Sequence, residues 1–447
     1  MAFSQNTLNT DGNVYTAPPN AQYTDYAIPN STEKPYLYLS ALGADGGKRE
    51  FKFITTCTKE AGQGAHSGAW YKIGNDGLLP GGTLRFVFGK KGEEATGNGT
   101  TGAGGGGGTA VLYHPPTGGD WTILMVAGGG GGAASDGLCS GGKGLPGQAG
   151  SNGADGAGLF LGKGGQDGGG GKHGAHGGGG GGWRYPGAGK CDEVNLRSYD
   201  HDISGQLSIA FYGGGMSGSG KATLAYNDVT YDHWSGGYGG SGEDMLDGCT
   251  EGNYHAGGYG FGGGGSGHGS GGGGGGYSGG GGGGAVGPGL GGGGGGGSFI
   301  NPTFAQPFVI SQEQRGTTSS PSDGSIQYQF AATLPIATRD LYFECHKGTE
   351  VQVLKAGDWT LLWQYDGNLV LYGPGFPNGA WASNTAGTDL FFQGDGNLVI
   401  YQANAGPWSS DTADDHHNGK GGRKLVLTQE GGLYITDQDG KVIWTGH

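Results

Sequence analysis

Between residues 128 and 297 glycine comes in unbroken runs, at 128–132, 177–182, 262–265, 271–276, 279–284 and 291–297. Glycine has no side chain to bury and loses the most backbone freedom on ordering. Such a stretch cannot fold around an apolar core. It is either a flexible linker or a structure held by backbone packing. Its interruptions favour the second: runs end on Trp183, on Tyr277 and, after Ser298, on Phe299, and strand-like pieces such as 207–212 alternate with them. A bundle of polyglycine II rods is expected, left-handed and extended with three residues per turn. Without Cβ atoms the rods can approach until N–H and C=O groups bond between neighbours, with Cα–H···O contacts adding a little. No strict Gly-X-Y period is present, which excludes collagen. Almost no Arg lies among the glycines, which argues against RGG-type RNA binding.

Before this stretch the pattern is all-β. Residues 36–42, 50–56, 69–73, 84–88, 109–113 and 121–127 are rich in aromatic and aliphatic side chains and are separated by Gly- and Pro-containing turns. No useful helical periodicity appears, so a sandwich or jelly roll is expected. Residues 1–35 are polar and read as an extended arm with a surface to lie against, such as a neighbouring copy. The domain reading is therefore an arm at 1–35, a jelly-roll-like domain at 36–339 with its polyglycine insertion at about 128–297, and a third domain at 340–447.

Charge and motifs exclude several functions. The 447 residues carry a formal charge of −14. Residues 340–447 hold six Lys and Arg against thirteen Asp and Glu, a net −7. Nucleic acid and anionic membrane are poor partners for that surface. No stretch approaches eighteen apolar residues, so no membrane insertion is expected, and the opening residues lack the pattern of a secretory signal. Cys57, Cys139, Cys191, Cys249 and Cys345 are widely spaced without a C-x-x-C pair, which disfavours zinc. One or two bridges could form in an oxidising compartment, with at least one thiol left over. His173, His176, His255, His268, His416 and His417 lack recognisable ligand spacing and read as surface residues. No G-x-S-x-G, H-E-x-x-H or P-loop is present. Neither an enzyme, a metal nor a cofactor is expected.

The glycine-rich part carries a recognisable succession. Leu-Gly-Ala-Asp-Gly-Gly-Lys (42–48) precedes Leu-Arg-Phe-Val-Phe-Gly-Lys-Lys-Gly-Glu (84–93), then five Gly and Thr-Ala-Val (104–111), Ile-Leu-Met-Val-Ala followed by five Gly and Ala (123–133), six Gly and Trp (177–183), Gly-Tyr-Gly-Phe and four Gly (258–265), six Gly and Tyr (271–277) and Gly-Ser-Phe-Ile (297–300). This resembles the glycine-rich extracellular module of the anaplastic lymphoma kinase and leukocyte receptor family. The resemblance implies a TNF-like jelly roll carrying inserted polyglycine II rods over roughly 36–330, with 323–330 as the last returning strand. It implies a fold and not receptor signalling.

From about residue 341, Trp, Leu and Gln replace glycine and three repeats follow. The first contains Gln364, Asp366, Asn368, Val370 and Tyr372, each two apart; the second contains Gln393, Asp395, Asn397, Val399 and Tyr401. On a strand, alternate side chains share a face, so each set reads as one polar row ending in an aliphatic and a phenol. The repeats close on Trp381-Ala-Ser-Asn-Thr385, Trp408-Ser-Ser-Asp-Thr412 and Trp444. One Trp per repeat predicts three tryptophans packed at a threefold centre.

Gln-x-Asp-x-Asn-x-Val-x-Tyr resembles the signature of the monocot bulb-type mannose-binding lectins, a β-prism II family, across 341–447. The resemblance implies that Asp366 and Asn368 take the 2-hydroxyl of mannose, Gln364 the 3-hydroxyl and Tyr372 the 4-hydroxyl, with Val370 facing the C3–C4 edge. Asp395, Asn397, Gln393, Tyr401 and Val399 would repeat this. Carboxylates accept through charge-assisted bonds, and Asn and Gln can donate and accept. The third repeat has Thr428, Glu430, Gly432, Tyr434 and Thr436 at the matching positions, so it loses the Asn and places Tyr where Val stood. That pocket is expected not to bind mannose. The functional expectation is a lectin or adhesin for mannose-containing glycans, extracellular or on a cell surface, forming a homo-oligomer or filament. The alternative is a structural subunit of an extracellular fibre or matrix.

Overall fold

A computed structural model describes residues 6–19, 22–52, 56–75, 77–96, 101–135, 140–188, 255–265, 267, 269–284, 290–332, 334, 336–340, 342–403, 405–414, 421–438 and 440–447. It is all-β, and among the described residues there is no helix. Two compact units are present. One comprises Met1–Gln306 and Ile310–Ala332, the other Pro307–Val309 and Thr333–His447.

The first unit is a sandwich. One sheet has the order Asn6–Thr7, Tyr23–Ala27, Thr83–Val87, Thr109–His114, Thr122–Ala127, Phe299–Ile300. The other has the order Ala305–Glu313, His66–Lys72, Tyr36–Leu42, Ser325–Ala331, Tyr15–Thr16. The period-2 pattern of the sequence explains the packing: Leu37, Leu39 and Ala41 point inward from Tyr36–Leu42, as do Ile326, Tyr328 and Phe330 from the strand beside it. These meet Leu84, Phe86, Leu124 and Met125 of the opposite sheet in one core, at about 1.5–3 kcal/mol for each fully buried large side chain. Hydrogen bonds also cross between the sheets. Tyr71 Oη donates to the Leu124 carbonyl at 3.1 Å and Ser67 Oγ to the Val126 carbonyl at 3.0 Å. Burial pushes the Tyr71 phenol far above its ordinary value, so it stays a donor.

The expected arm at 1–35 is corrected. Tyr23–Ala27 pairs antiparallel with Thr83–Val87 over five residues, and Leu8, Ala17, Tyr26 and Ile28 are buried in the sandwich core. Polar Thr, Asn and Asp fill many of the outward positions, which is why the segment read as an extended arm.

The glycine rods are present, and the rod at 128–133 defines their lattice. Gly129 and Gly132 donate to the carbonyls of Gly275 and Gly272, Gly130 and Ala133 to Ala44 and Gly47, and Gly131 and Ala134 to Leu145 and Gly142. The rod's own carbonyls at 129 and 132 accept from Gly296 and Gly293, those at 130 and 133 from Gly106 and Ala103, and those at 128 and 131 from Ala65 and Gly62. Each neighbour is met every third residue, the signature of three residues per turn, and six neighbours surround one rod. A Cβ on Gly131 would lie 1.9 Å from the Gly293 carbonyl oxygen, a separation no side chain could occupy. The bundle is not confined to the insertion at 128–297. Stretches 44–47, 62–65 and 103–106, which lie between the expected strands, run extended and supply rods of their own. Asp45 in one of them is buried and accepts from Gly64 N, Ser322 N and Ser322 Oγ. Tyr259 and Phe261 cover Val87, Ala110, Leu112 and Val126 on the outer face of the six-stranded sheet, and Trp183, Tyr277 and Phe299 pack against this cluster. The bulky residues that end glycine runs thus fasten rods to the sheet.

Cys57 is disulfide-bonded. Cys139, Cys191 and Cys249, and the strand-like piece at 207–212, lie outside the described residues.

The second unit is built from three four-stranded sheets: Val351–Ala356, Trp359–Trp363, Leu369–Gly373 and Phe376–Ala382; Phe343–His346, Asp389–Phe392, Leu398–Tyr401 and Trp408–Ser409; Ile336–Asp340, Lys424–Thr428, Leu433–Thr436 and Val442–Thr445. Its first strand begins at Ile336, ahead of the expected boundary at 340, because Ile336–Asp340 pairs with Lys424–Thr428 of the last repeat. Trp381, Trp408 and Trp444 meet edge to face, with centroids 5.9, 5.7 and 6.1 Å apart, as aromatic quadrupoles prefer. They form the expected threefold centre. Trp363, Leu371, Leu390, Ile400, Leu427 and Ile435 fill the core around it, where Cys345 is also buried.

Candidate functional site

The first row does not lie on a single strand, as its spacing suggested. Trp359–Trp363 and Leu369–Gly373 form a hairpin, and Gln364, Asp366 and Asn368 sit in its connection. Gly367 N donates to the Gln364 carbonyl at 3.0 Å and Gln364 N to the Asn368 carbonyl at 2.9 Å. Gly367 has φ 84°. This is the three-residue loop in which a left-handed residue follows a type I turn, a position suited to glycine. The Asp-Gly-Asn in the middle of the row is therefore turn chemistry. Asn368 N donates to Asp366 Oδ1 at 3.0 Å. Val370 and Tyr372 do lie on the return strand, with Val370 only 3% exposed.

The second row repeats this geometry. Gly396, at φ 93°, closes the turn on Gln393, Gln393 N donates to the Asn397 carbonyl at 2.8 Å, and Asn397 N donates to Asp395 Oδ1 at 3.0 Å. In both rows the Gln amide donates to the Tyr phenol: Gln364 Nε2 to Tyr372 Oη at 2.8 Å, and Gln393 Nε2 to Tyr401 Oη at 2.9 Å. Val399 is buried like Val370.

Each Asn is held by residues that spacing alone did not single out. Asn368 Oδ1 accepts from Ser383 Oγ at 2.9 Å and Thr385 N at 3.3 Å, while Thr385 Oγ1 donates to the Gly367 carbonyl at 2.7 Å. Asn397 Oδ1 accepts from Ser410 Oγ at 3.1 Å and Thr412 N at 3.3 Å, and Thr412 Oγ1 donates to the Gly396 carbonyl at 2.7 Å. The Ser-x-Thr that follows Trp381 and Trp408 was the available signal. The middle residues, Asn384 and Asp411, have φ of 55° and 56°, a conformation that Asn and Asp tolerate better than most. Because the Asn oxygen is engaged, its Nδ2 hydrogens are the part left for a ligand. Each row then offers a carboxylate oxygen and a Gln Oε1 as acceptors, and an Asn amide and a Tyr hydroxyl as donors. That set suits adjacent hydroxyl groups.

No family model matches the chain. A mannose-specific lectin from Aloe arborescens is 39% identical over 100 residues, covering 21% of this chain and 84% of that protein. The chain belongs to the monocot mannose-specific lectin family over this part of its length. Among solved structures it is similar to the monomeric monocot mannose-binding lectins of Gastrodia elata, at 30% identity over 24% of this chain and 96% of that one, with a TM-score of 0.19.

The third locus of the lectin domain keeps the turn and loses the chemistry. Gly431, at φ 93°, donates to the Thr428 carbonyl and Thr428 N to the Gly432 carbonyl. Thr428 is buried, with its Oγ1 accepting from Gly432 N at 3.0 Å. A Cβ on Gly432 would lie 2.3 Å from Tyr434 Oη, so the Tyr434 side chain occupies the space an Asn would need. The Ser-x-Thr is gone too: Gly446 N bonds the Leu433 carbonyl as Ser383 and Ser410 bond Leu369 and Leu398, but Gly446 has no hydroxyl to offer.

Of the histidines weighed from sequence, His173 bonds the Gly174 carbonyl at 2.9 Å and His255 lies 3.8 Å from Glu93. His268, His416 and His417 lie outside the described residues.

Proposed function

We propose that the chain is a carbohydrate-binding lectin that takes mannose-type sugars at two sites, Gln364/Asp366/Asn368/Val370/Tyr372 and Gln393/Asp395/Asn397/Val399/Tyr401. The observation that carries this reading is the matched pair of donor and acceptor sets, each fixed by a turn glycine and by a Ser-x-Thr clamp on its Asn. The name of the Aloe arborescens relative gives the sugar class. In each site Asp and Asn would take the 2-hydroxyl, Gln the 3-hydroxyl and Tyr the 4-hydroxyl, with Val against the C3–C4 edge. Such open sites bind single sugars weakly, and two on one chain gain strength by engaging one glycan surface together.

The rod bundle supports a stiff carrier for these sites, as an extracellular or cell-surface adhesin would need, alone or as a subunit of an oligomer or fibre. We also propose that the sandwich and rods of the first unit share an architecture with the glycine-rich module of the anaplastic lymphoma kinase and leukocyte receptor family. Glycan-array binding tests the central reading. Mannose-terminated glycans should bind the native chain and not Asp366→Ala/Asp395→Ala, while filaments in negative stain without any glycan binding would favour the structural role alone.

A further inference from the structure

Both intact sites carry an exposed tyrosine at the same place, and each obtains it differently. In the first, the residue between Gln364 and Asp366 is Tyr365, 64% exposed. In the second the corresponding residue is Gly394, which has no side chain to offer. The space a side chain would take there is filled by another tyrosine: a Cβ on Gly394 would lie 2.6 Å from Cε1 and 2.8 Å from Oη of Tyr342. Tyr342 comes from a separate part of the chain, just before the strand Phe343–His346 that pairs with Asp389–Phe392. Its backbone N donates to the Phe392 carbonyl at 2.7 Å, which sets it beside the turn.

Two features of Tyr342 lack a structural motive. Its φ is 69°, a left-handed conformation that is a genuine outlier for a bulky residue. The side chain is also 82% exposed, so burial does little to offset the strain. Strained residues of this kind concentrate at functional sites. The third locus offers a contrast within the same domain. There the corresponding residue is Gln429, whose side chain lies against Gly357, where a Cβ would be 3.2 Å from its Cγ. The exposed tyrosine thus accompanies the two intact sites and not the spent one.

We infer that Tyr365 and Tyr342 form an aromatic subsite beside each polar site, which takes the second sugar of an α-linked oligomannoside. This rests on the reading of the two rows as mannose sites. A pyranose has an apolar face of C–H groups that packs on an aromatic ring, while its hydroxyls point outward to water. On this reading the sugar linked to one held by Asp, Asn and Gln packs against the tyrosine. A phenol suits that place because it gives a large, rigid contact with a polar tip that remains hydrated. The site then prefers a chain of two or more mannoses to a single one.

Equilibrium titration of the full chain with methyl α-mannoside and with an α-linked mannotriose tests this. The native chain should bind the mannotriose more tightly. Tyr365→Ala and Tyr342→Gly together should weaken mannotriose by about twofold to tenfold at each site and leave methyl α-mannoside unchanged. Glycine is chosen at 342 because it accepts the left-handed backbone. Tyr365→Phe and Tyr342→Phe should retain most of the preference. The subsite is overturned if methyl α-mannoside binds and the substitutions leave mannotriose binding intact, or if they weaken both sugars in proportion. If the native chain takes neither sugar, the underlying two-site reading has failed, and the subsite with it.

Discussion

The Gln-x-Asp-x-Asn-x-Val-x-Tyr rows were legible residue by residue, but their shape was not. Alternate spacing suggested one strand face, whereas Gly367 and Gly396 fold each row through a turn. A two-residue period does not distinguish a strand from a tight hairpin when the middle of the row is Asp-Gly-Asn. The Ser-x-Thr clamps were in view after Trp381 and Trp408, yet their role depends on a contact across 15 residues, from Ser383 to Asn368, which no local pattern encodes. Another contact at this scale makes a pH prediction. His346 Nδ1 lies 2.7 Å from Asp389 Oδ1, and that hydrogen bond raises the histidine above its ordinary value and lowers the aspartate below its own. The raised histidine contributes stability below its usual pKa of about 6.5, and this is lost as pH rises through the folded value. The lowered aspartate contributes above about 3.9, and this is lost as pH falls through its folded value. Both partners are exposed, so the effect is small. An NMR titration should place the His346 midpoint above about 6.5 and return it there in Asp389→Asn; an ordinary midpoint indifferent to that substitution would contradict the pairing.

At the scale of elements, the strands were legible wherever one face is buried, as in Tyr36–Leu42 with Leu37, Leu39 and Ala41 inward. The rods were legible from uninterrupted glycine. Rods drawn from 44–47 and 62–65 were not, because a short Gly-rich piece between strands has the composition of a turn, and the five glycines at 104–108 lie outside the stretch where rods were expected. What makes it a rod is a neighbour bonded at every third residue, as Gly130 and Ala133 bond Ala44 and Gly47. Hexagonal packing of this kind leaves no room for a methyl group. Gly131→Ala, with its Cβ 1.9 Å from a neighbouring carbonyl oxygen, should destabilise the first unit by at least about 1–3 kcal/mol in denaturant unfolding. Gly150→Ala, with nothing within 4 Å of its Cβ, should be close to neutral. Equal effects at the two positions would rule out close rod packing at 131.

For the whole molecule, the composition change near residue 341 marked the second unit, although pairing of Ile336–Asp340 with Lys424–Thr428 draws its start forward. The first unit spends glycine on a backbone lattice and the second concentrates apolar and polar chemistry into three related sheets. Two of those sheets keep a complete set of hydroxyl-binding groups, and the third fills the equivalent place with Tyr434. Binding stoichiometry tests this most directly. Titration of the full chain with methyl α-mannoside should give two sugars per chain, one lost in Asp366→Ala and the other in Asp395→Ala. Three sugars per chain, or two that survive both substitutions together, would contradict the account.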